Sequence, residues 1–207
     1  MRNKKYSYTQ LCTFVLIMKR LAIFASGSGT NAENIITHFI ENDKATVSLI
    51  VTNNANAGVI ERSQRLNVPL IIVPKIEFSK PHILIQTLKD YKVDMIVLAG
   101  FLLLIPAELI NEYHGRIINI HPALLPKFGG KGFYGANVHQ KVIETKSLIS
   151  GITIHHVNEK FDEGEIIFQA ACHIDTGETP ESLAEKIHHL EKMYFPVVIE
   201  KIVQQLH

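Results

Sequence analysis

Ile117-Ile118-Asn119-Ile120-His121-Pro122-Ala123-Leu124-Leu125-Pro126 is an apolar run, rich in β-branched residues, that two polar side chains interrupt two positions apart. A strand turns side chains i and i+2 to the same face, so a strand here sets Asn119 beside His121. Pro122 and Pro126 cannot continue a central strand, which puts the pair at the strand's carboxyl end, where open α/β sheets hold their ligands. A carboxamide offers donors and an acceptor, and an imidazole changes protonation state near neutral pH. Together they suit a carbonyl that becomes tetrahedral and exchanges protons. A core histidine beside a turn-forming asparagine is the alternative, and these residues alone leave both open.

Upstream, residues 21–25 form a short apolar strand, followed by Ser26-Gly27-Ser28-Gly29-Thr30-Asn31 and then residues 32–40, whose apolar spacing is helical. Strand, glycine loop and helix leave backbone amides at a helix N-terminus free to hold an anion, with the helix dipole favouring negative charge. Gly27 to Ala32 satisfies G-x-G-x-x-A, but the next strand, residues 46–52, ends in Asn53 and Asn54 where a ribose-binding acid would stand. No lysine precedes Thr30 as a P-loop requires. A phosphate monoester site and a plain turn remain.

The alternation continues with a helix over 58–66, a strand over 69–73, a helix over 81–91 and a buried strand over 95–99. Gly100-Phe101-Leu102-Leu103-Leu104-Ile105-Pro106 is too apolar for an ordinary exposed loop; it reads either as core or as the wall of a pocket for a flat aromatic ligand. A short helix over 107–113 leads back to the opening strand. Beyond it lie a glycine-rich irregular loop over 127–135 and a helix over 136–146. Strands over 149–157 and 165–174 are close enough to pair as a hairpin, and a long amphipathic helix runs from 180 to the end with Pro196 as a candidate break. These elements predict an α/β architecture: a mostly parallel sheet with helices on both faces and an antiparallel addition near the C-terminal end.

With 207 residues the chain has the length of one domain, and its 46% hydrophobic and 20% charged content is that of a soluble globular protein. Twenty-one Lys and Arg against twenty Asp and Glu give a net charge of +1, without the basic excess of a nucleic-acid-binding domain. Cys12 and Cys172 fit neither a disulfide framework nor a CxxC motif, so a reducing cytoplasm is the expected setting. The basic and apolar start resembles a signal peptide, but the run over 11–18 is short, lacks a small-residue cleavage site and is too short to span a bilayer. We expect residues 1–17 to be an upstream extension or disordered tail, and residues 18–207 to be a single domain.

Eleven histidines invite a metal reading, yet His155 and His156 point to opposite faces of a strand, and His188 and His189 diverge around a helix. Neither His-x3-His nor H-E-x-x-H occurs, and no G-x-S-x-G elbow marks a serine hydrolase. We expect no metal. Asp162, in the turn between the last two strands, reads either as a turn residue or as an acid curled towards the sheet edge.

Taken together, Gly27-Ser28-Gly29-Thr30-Asn31, Leu98-Ala99-Gly100-Phe101, Asn119 to Lys127 and Phe161-Asp162-Glu163-Gly164 resemble the phosphoribosylglycinamide formyltransferases, a branch of the folate-dependent formyltransferase superfamily. The resemblance runs from about residue 19 to the C-terminus. It implies a Rossmann-like fold and formyl transfer from 10-formyltetrahydrofolate to the amino group of N1-(5-phospho-D-ribosyl)glycinamide in purine biosynthesis, without a metal. By that resemblance Asn119 would hydrogen-bond the formyl oxygen and His121 would stabilise the tetrahedral intermediate and donate a proton. Asp162 would raise the histidine's pKa, an effect that a nearby carboxylate has on physical grounds as well.

The resemblance further implies that Gly29, Thr30 and Asn31 hold the substrate phosphate, that Glu191 contacts the glycinamide part, and that Leu102, Leu103, Leu104 and Ile105, with Asn119, form the folate pocket. Many relatives carry a basic residue where Leu103 stands, and Lys80 is a loose candidate for a further basic folate contact. The loop over 129–135 is more glycine-rich than the family pattern and receives no role. The expected partners are small molecules, without nucleic acid or membrane, in a monomer or weak homodimer. A tRNA-directed relative would carry a further C-terminal domain, a formyltetrahydrofolate hydrolase an N-terminal regulatory one; a non-catalytic nucleotide-binding module would not need Asn119, His121 and Asp162.

Overall fold

The computed structural model describes residues 18–133 and 135–206. The expectation for residues 1–17 lies outside them. In chain order the elements are β1 (Lys19–Phe24), α1 (Thr30–Asn42), β2 (Ala45–Thr52), α2 (Val59–Arg65), β3 (Leu70–Ile72), α3 (Lys75–Phe78), α4 (His82–Asp90) and β4 (Met95–Leu98). There follow α5 (Ala107–Glu112), β5 (Ile117–His121), α6 (Ala136–Glu144), β6 (Ile149–His156), β7 (Ile166–His173) and α7 (Pro180–Val203). The strands form one seven-stranded sheet in the order β3-β2-β1-β4-β5-β6-β7. β1 to β5 run parallel, while β6 and β7 are antiparallel additions. The predicted mostly parallel sheet with an antiparallel C-terminal part is the observed one.

Strand periodicity divides the core in two. Leu21, Ile23, Met95 and Val97 face a cluster with Ile35 and Phe39 of α1, Val138 and Val142 of α6, and Ile187, Phe195 and Ile199 of α7. Their neighbours Ala22, Phe24, Ile96 and Leu98 face the other layer, with Phe78 of α3, Leu84 and Leu88 of α4 and Leu109 of α5. Central strands buried on both faces explain the unbroken apolar runs of β1 and β4. Because β2 lies on one side of β1 and β4 on the other, the chain reverses direction of winding there, and a crevice opens at the carboxyl ends of these strands.

Two elements differ from expectation. The four-residue α3 was not anticipated, being too short to show a helical period. α7 is continuous through Pro196, which is buried inside it. Proline removes the amide that would bond to the carbonyl four residues earlier. That carbonyl belongs to Lys192, and Asn34 of α1 donates Nδ2–H to it at 2.9 Å. The lost bond is thus replaced from a neighbouring helix, and the helix does not break. Its start is held by a capping box in which Thr179 and Ser182 satisfy one another's backbone amides. Among the described residues no helix is long and apolar enough to cross a membrane.

Candidate active site

β5 carries Asn119 and His121 on one face, and the antiparallel partner β6 sets His155 opposite Asn119 and Thr153 opposite His121. Thr153 fixes the turn that follows β5. Its hydroxyl donates to the Ala123 carbonyl at 2.7 Å and accepts from the Leu125 amide at 2.9 Å and from Gln169 Nε2 at 2.9 Å. A fully satisfied buried hydroxyl thereby holds the segment that ends the strand.

His121 is 3% exposed. Its Nε2 lies 2.8 Å from the Phe128 carbonyl, and a carbonyl only accepts, so Nε2 carries a hydrogen. Nδ1 is left facing Asp162 Oδ2 at 3.4 Å. Asp162 sits in the β6–β7 turn with φ of 57°, a conformation that Asp tolerates better than most residues. The Gly130 amide donates to its Oδ2 at 3.0 Å, and Asn119 Nδ2 approaches its Oδ1 at 3.4 Å. His155 Nε2 is 3.6 Å from the same Oδ1. Gly164 closes the turn so tightly that a Cβ there would collide with the His156 carbonyl.

Burial lowers the His121 pKa from its ordinary value of 6.5, and the His155 charge adds to this; the Asp162 charge and the Phe128 carbonyl pull the other way. Asp162 therefore raises the histidine pKa as expected, but burial outweighs it and the net direction is down. For Asp162 itself burial alone would raise the pKa, yet donation from His155 when that ring is an imidazolium, the His121 charge and the Gly130 amide bring it below the usual carboxylate range.

The glycine loop joins β1 to α1. Gly29 occupies the N-cap in the left-handed region, with φ of 79°, and no side chain caps the helix. The first bond to the cap is Glu33 N to Gly29 O at 2.9 Å, which leaves the amides of residues 30 to 32 at the helix end free of the helix ladder. A Cβ on Gly29 would meet Val59 Cβ at 2.6 Å. Asn53, found where a dinucleotide site would place an acid, instead accepts from the Ser26 hydroxyl, which in turn receives the Leu102 amide at 3.0 Å. Asn31 Nδ2 donates to Glu191 at 2.9 Å across 160 positions of sequence. Glu191 is 8% exposed, and burial raises its pKa against the pull of Asn31 and His188.

These groups share one cavity of about 770 Å³, lined by Gly29, Thr30, Asn31, Asn119, His121, Asp162 and Glu191 among others. Ala99, Gly100, Phe101 and Leu102 form part of its wall, with Phe101 resting edge-on against Phe24 at 5.3 Å. Of the four residues predicted to make the folate pocket wall, Leu102 lines the cavity. Ile105 is buried in the layer of α4 and α5 and Leu103 packs against that layer, while Leu104 is exposed. Lys80 does not line the cavity; Lys75, at the start of α3, does. The segment left without a role contributes Gly130, Lys131, Gly132 and Phe133 to the wall.

Sequence reasoning also missed His139 and His188, which line the cavity from α6 and α7, and His155 beside Asn119. His155 and His188 enter the sequence reading only as metal ligands and His139 not at all, whereas the inward faces of α6 and α7 and the β5–β6 pairing were the informative signals. His139 is 4% exposed, and burial, helped by His188 and His121, lowers its pKa to about 4. Among the described residues no group of three or more His, Cys, Asp or Glu side chains is arranged to hold a metal.

The sequence matches the formyl transferase family over residues 19–199. It is 42% identical over 187 residues to the chloroplastic phosphoribosylglycinamide formyltransferase of Arabidopsis thaliana, covering 87% of this chain and 64% of that protein. To the phosphoribosylglycinamide formyltransferase of Bacillus subtilis it is 39% identical, covering 90% of this chain and 95% of the relative. The chain thus spans less than two thirds of the Arabidopsis protein and nearly all of the bacterial one. The crystal structure of glycinamide ribonucleotide transformylase 1 from Geobacillus kaustophilus superposes with a TM-score of 0.83 at 37% identity, covering 90% of this chain and 99% of that one. The chain belongs to the formyl transferase family, and it does so together with the phosphoribosylglycinamide formyltransferases.

Proposed function

We propose that the protein transfers a formyl group from 10-formyltetrahydrofolate to the amino group of N1-(5-phospho-D-ribosyl)glycinamide, a step of purine biosynthesis. One observation carries the reading: a single cavity runs from the uncapped amides of α1 to the Asn119, His121 and Asp162 cluster. A phosphate at one end and a reacting carbonyl at the other is the separation of charge and chemistry that such a substrate needs.

In the reaction the amine nitrogen adds to the formyl carbon, the formyl oxygen gains negative charge, and the bond to the donor nitrogen breaks. One proton passes in net from the attacking amine to the departing nitrogen. Asn119 supplies a hydrogen-bond donor to the oxyanion. His121 keeps Nε2–H on the Phe128 carbonyl, so Nδ1 is the atom that exchanges the proton, and Asp162 beside it stabilises the imidazolium while it exists. Gly29, Thr30 and Asn31 hold the phosphate, and Glu191, itself positioned by Asn31, meets the glycinamide part. Leu102 and Phe101 offer an apolar face to the pterin, and Lys75 and Lys131, which line the cavity where Lys80 does not, are the cations available to its acidic tail.

The partners in this reading are small molecules alone, the protein is a monomer or weak homodimer, and no metal takes part. The setting is cytoplasmic, a reading that the free Cys172 thiol supports. The test is a transfer assay with the ribonucleotide as acceptor, following both the formylated product and tetrahydrofolate. One equivalent of each is expected. Release of formate without formylated nucleotide, or preferential transfer to an aminoacyl-tRNA, would overturn the assignment.

A further inference from the structure

Asn119 is asked to donate to an oxyanion, yet its donor end is already occupied. Nδ2 lies 3.1 Å from His155 Nε2 and 3.4 Å from Asp162 Oδ1. His155 is 2% exposed, and its Nδ1 sits 2.8 Å from the His156 carbonyl, so that nitrogen carries a hydrogen. In neutral His155 the other nitrogen, Nε2, is then a lone pair. It accepts from Asn119 Nδ2, the second Nδ2 hydrogen turns to Asp162, and the carboxamide presents its oxygen to the cavity. An oxygen facing an oxyanion repels it.

The two ends of a carboxamide are alike in shape, so its partners decide which end faces the cavity. When His155 carries a proton on both nitrogens, Nε2–H donates to Asp162 Oδ1, 3.6 Å away, and to the oxygen of Asn119. The carboxamide turns over, and Nδ2 becomes the cavity-facing donor. The tautomer protonated on Nε2 alone is disfavoured, because its Nδ1 lone pair would confront the His156 carbonyl. The titratable groups facing His155 are Asp162 from the β6–β7 turn and His121 from β5, while β7 sets Ile166 across from it.

We infer that His155 is a positioning residue: in its doubly protonated form it turns the Asn119 carboxamide so that Nδ2 faces the reacting carbonyl. The inference rests on the oxyanion-donor role proposed for Asn119, but its geometric half stands apart from that role. Asp162 then serves two imidazoles, each anchored by a backbone carbonyl and each able to donate to it only as an imidazolium.

The test has a spectroscopic arm and a kinetic arm, both on the full chain. In the wild-type protein the Asn119 side-chain amide signals, followed by 15N–1H NMR, should shift with pH at the same midpoint as the His155 ring. His155→Gln, whose amide can donate to the Asn119 oxygen without titrating, should hold those signals constant and retain most of kcat. His155→Met supplies no donor and should lower kcat by about tenfold to a hundredfold at nearly unchanged KM, the scale of losing one oxyanion donor. Asn119 signals that ignore the His155 titration would overturn the inference whatever the enzyme's activity, and so would Gln and Met variants with equal kcat. Absence of formyl transfer in the wild type would instead overturn the proposed function, and the spectroscopic arm would still decide the geometry.

Discussion

Replacing Asp162 by Asn removes a charge from the cluster while keeping its shape, and so isolates what that charge does to His121. Burial already holds the His121 pKa below 6.5, and the carboxylate opposes this. Asp162→Asn should therefore lower the His121 pKa further, read by NMR titration of the ring, and cut kcat sharply with only a modest loss of stability. Equal pKa values in the two proteins would uncouple the residues and return Asp162 to the status of a turn residue.

A second prediction at this scale concerns His139, whose pKa of about 4 against 6.5 when unfolded makes the folded protein favour its neutral form. The unfolded chain binds this proton more readily, so the stability His139 contributes is complete above pH 6.5 and is lost as pH falls through about 4. Between pH 6.5 and pH 5 the wild type should lose up to about 2 kcal/mol more than His139→Gln, measured by urea unfolding at each pH. Parallel losses in the two proteins would show that His139 titrates normally.

Among the elements, α7 shows how a break written in the sequence can be mended by another part of the chain. Asn34→Ala leaves the Lys192 carbonyl without its partner and should cost about 0.5–1 kcal/mol. In a Pro196→Ala background the helix supplies its own amide to that carbonyl, so the Asn34 substitution should become nearly neutral, and a double-mutant cycle measures the coupling. Independent, additive effects would dissociate Asn34 from the proline. Nothing local to residues 180–203 announced Asn34, because the pair is 158 positions apart. Elements with a strong period were legible, as β1, β4 and β5 show, since a doubly buried strand writes an unbroken apolar run and a polar pair at its end stands out. The short α3 left no period, and Lys75 was overlooked with it. The side-by-side placement of Asn119 and His121 followed from strand geometry alone, whereas His155 enters the site only through the antiparallel register of β5 with β6. Which side chains of residues 102–105 turn inward was not legible, because a uniformly apolar segment carries no period: Leu102 lines the cavity, while Leu103 and Ile105 pack on the layer of α4 and α5.

At the scale of the molecule, the sheet order brings two distant stretches to the rim of one crevice. The β1–α1 loop and the Asn31 to Glu191 bond build one end of the cavity, and β5 with the β6–β7 turn builds the other. Binding and chemistry are thus separable by mutation. Asn119→Ala and His121→Ala should bind the ribonucleotide within about threefold of wild type while turnover falls about a hundredfold or more, the effect of removing a transition-state donor or an acid. Gly29→Ala should do the converse. Its φ of 79° strains any L-residue, and the added Cβ meets Val59, so the helix end proposed to hold the phosphate must shift. Calorimetry with the ribonucleotide and with its dephosphorylated riboside distinguishes the two ends. Wild type, Asn119→Ala and His121→Ala should all prefer the phosphorylated ligand, and Gly29→Ala should lose about tenfold or more of its affinity for that ligand alone. If the wild type binds the two ligands equally, the glycine loop does not hold the phosphate, and the anion site must be sought elsewhere along the cavity.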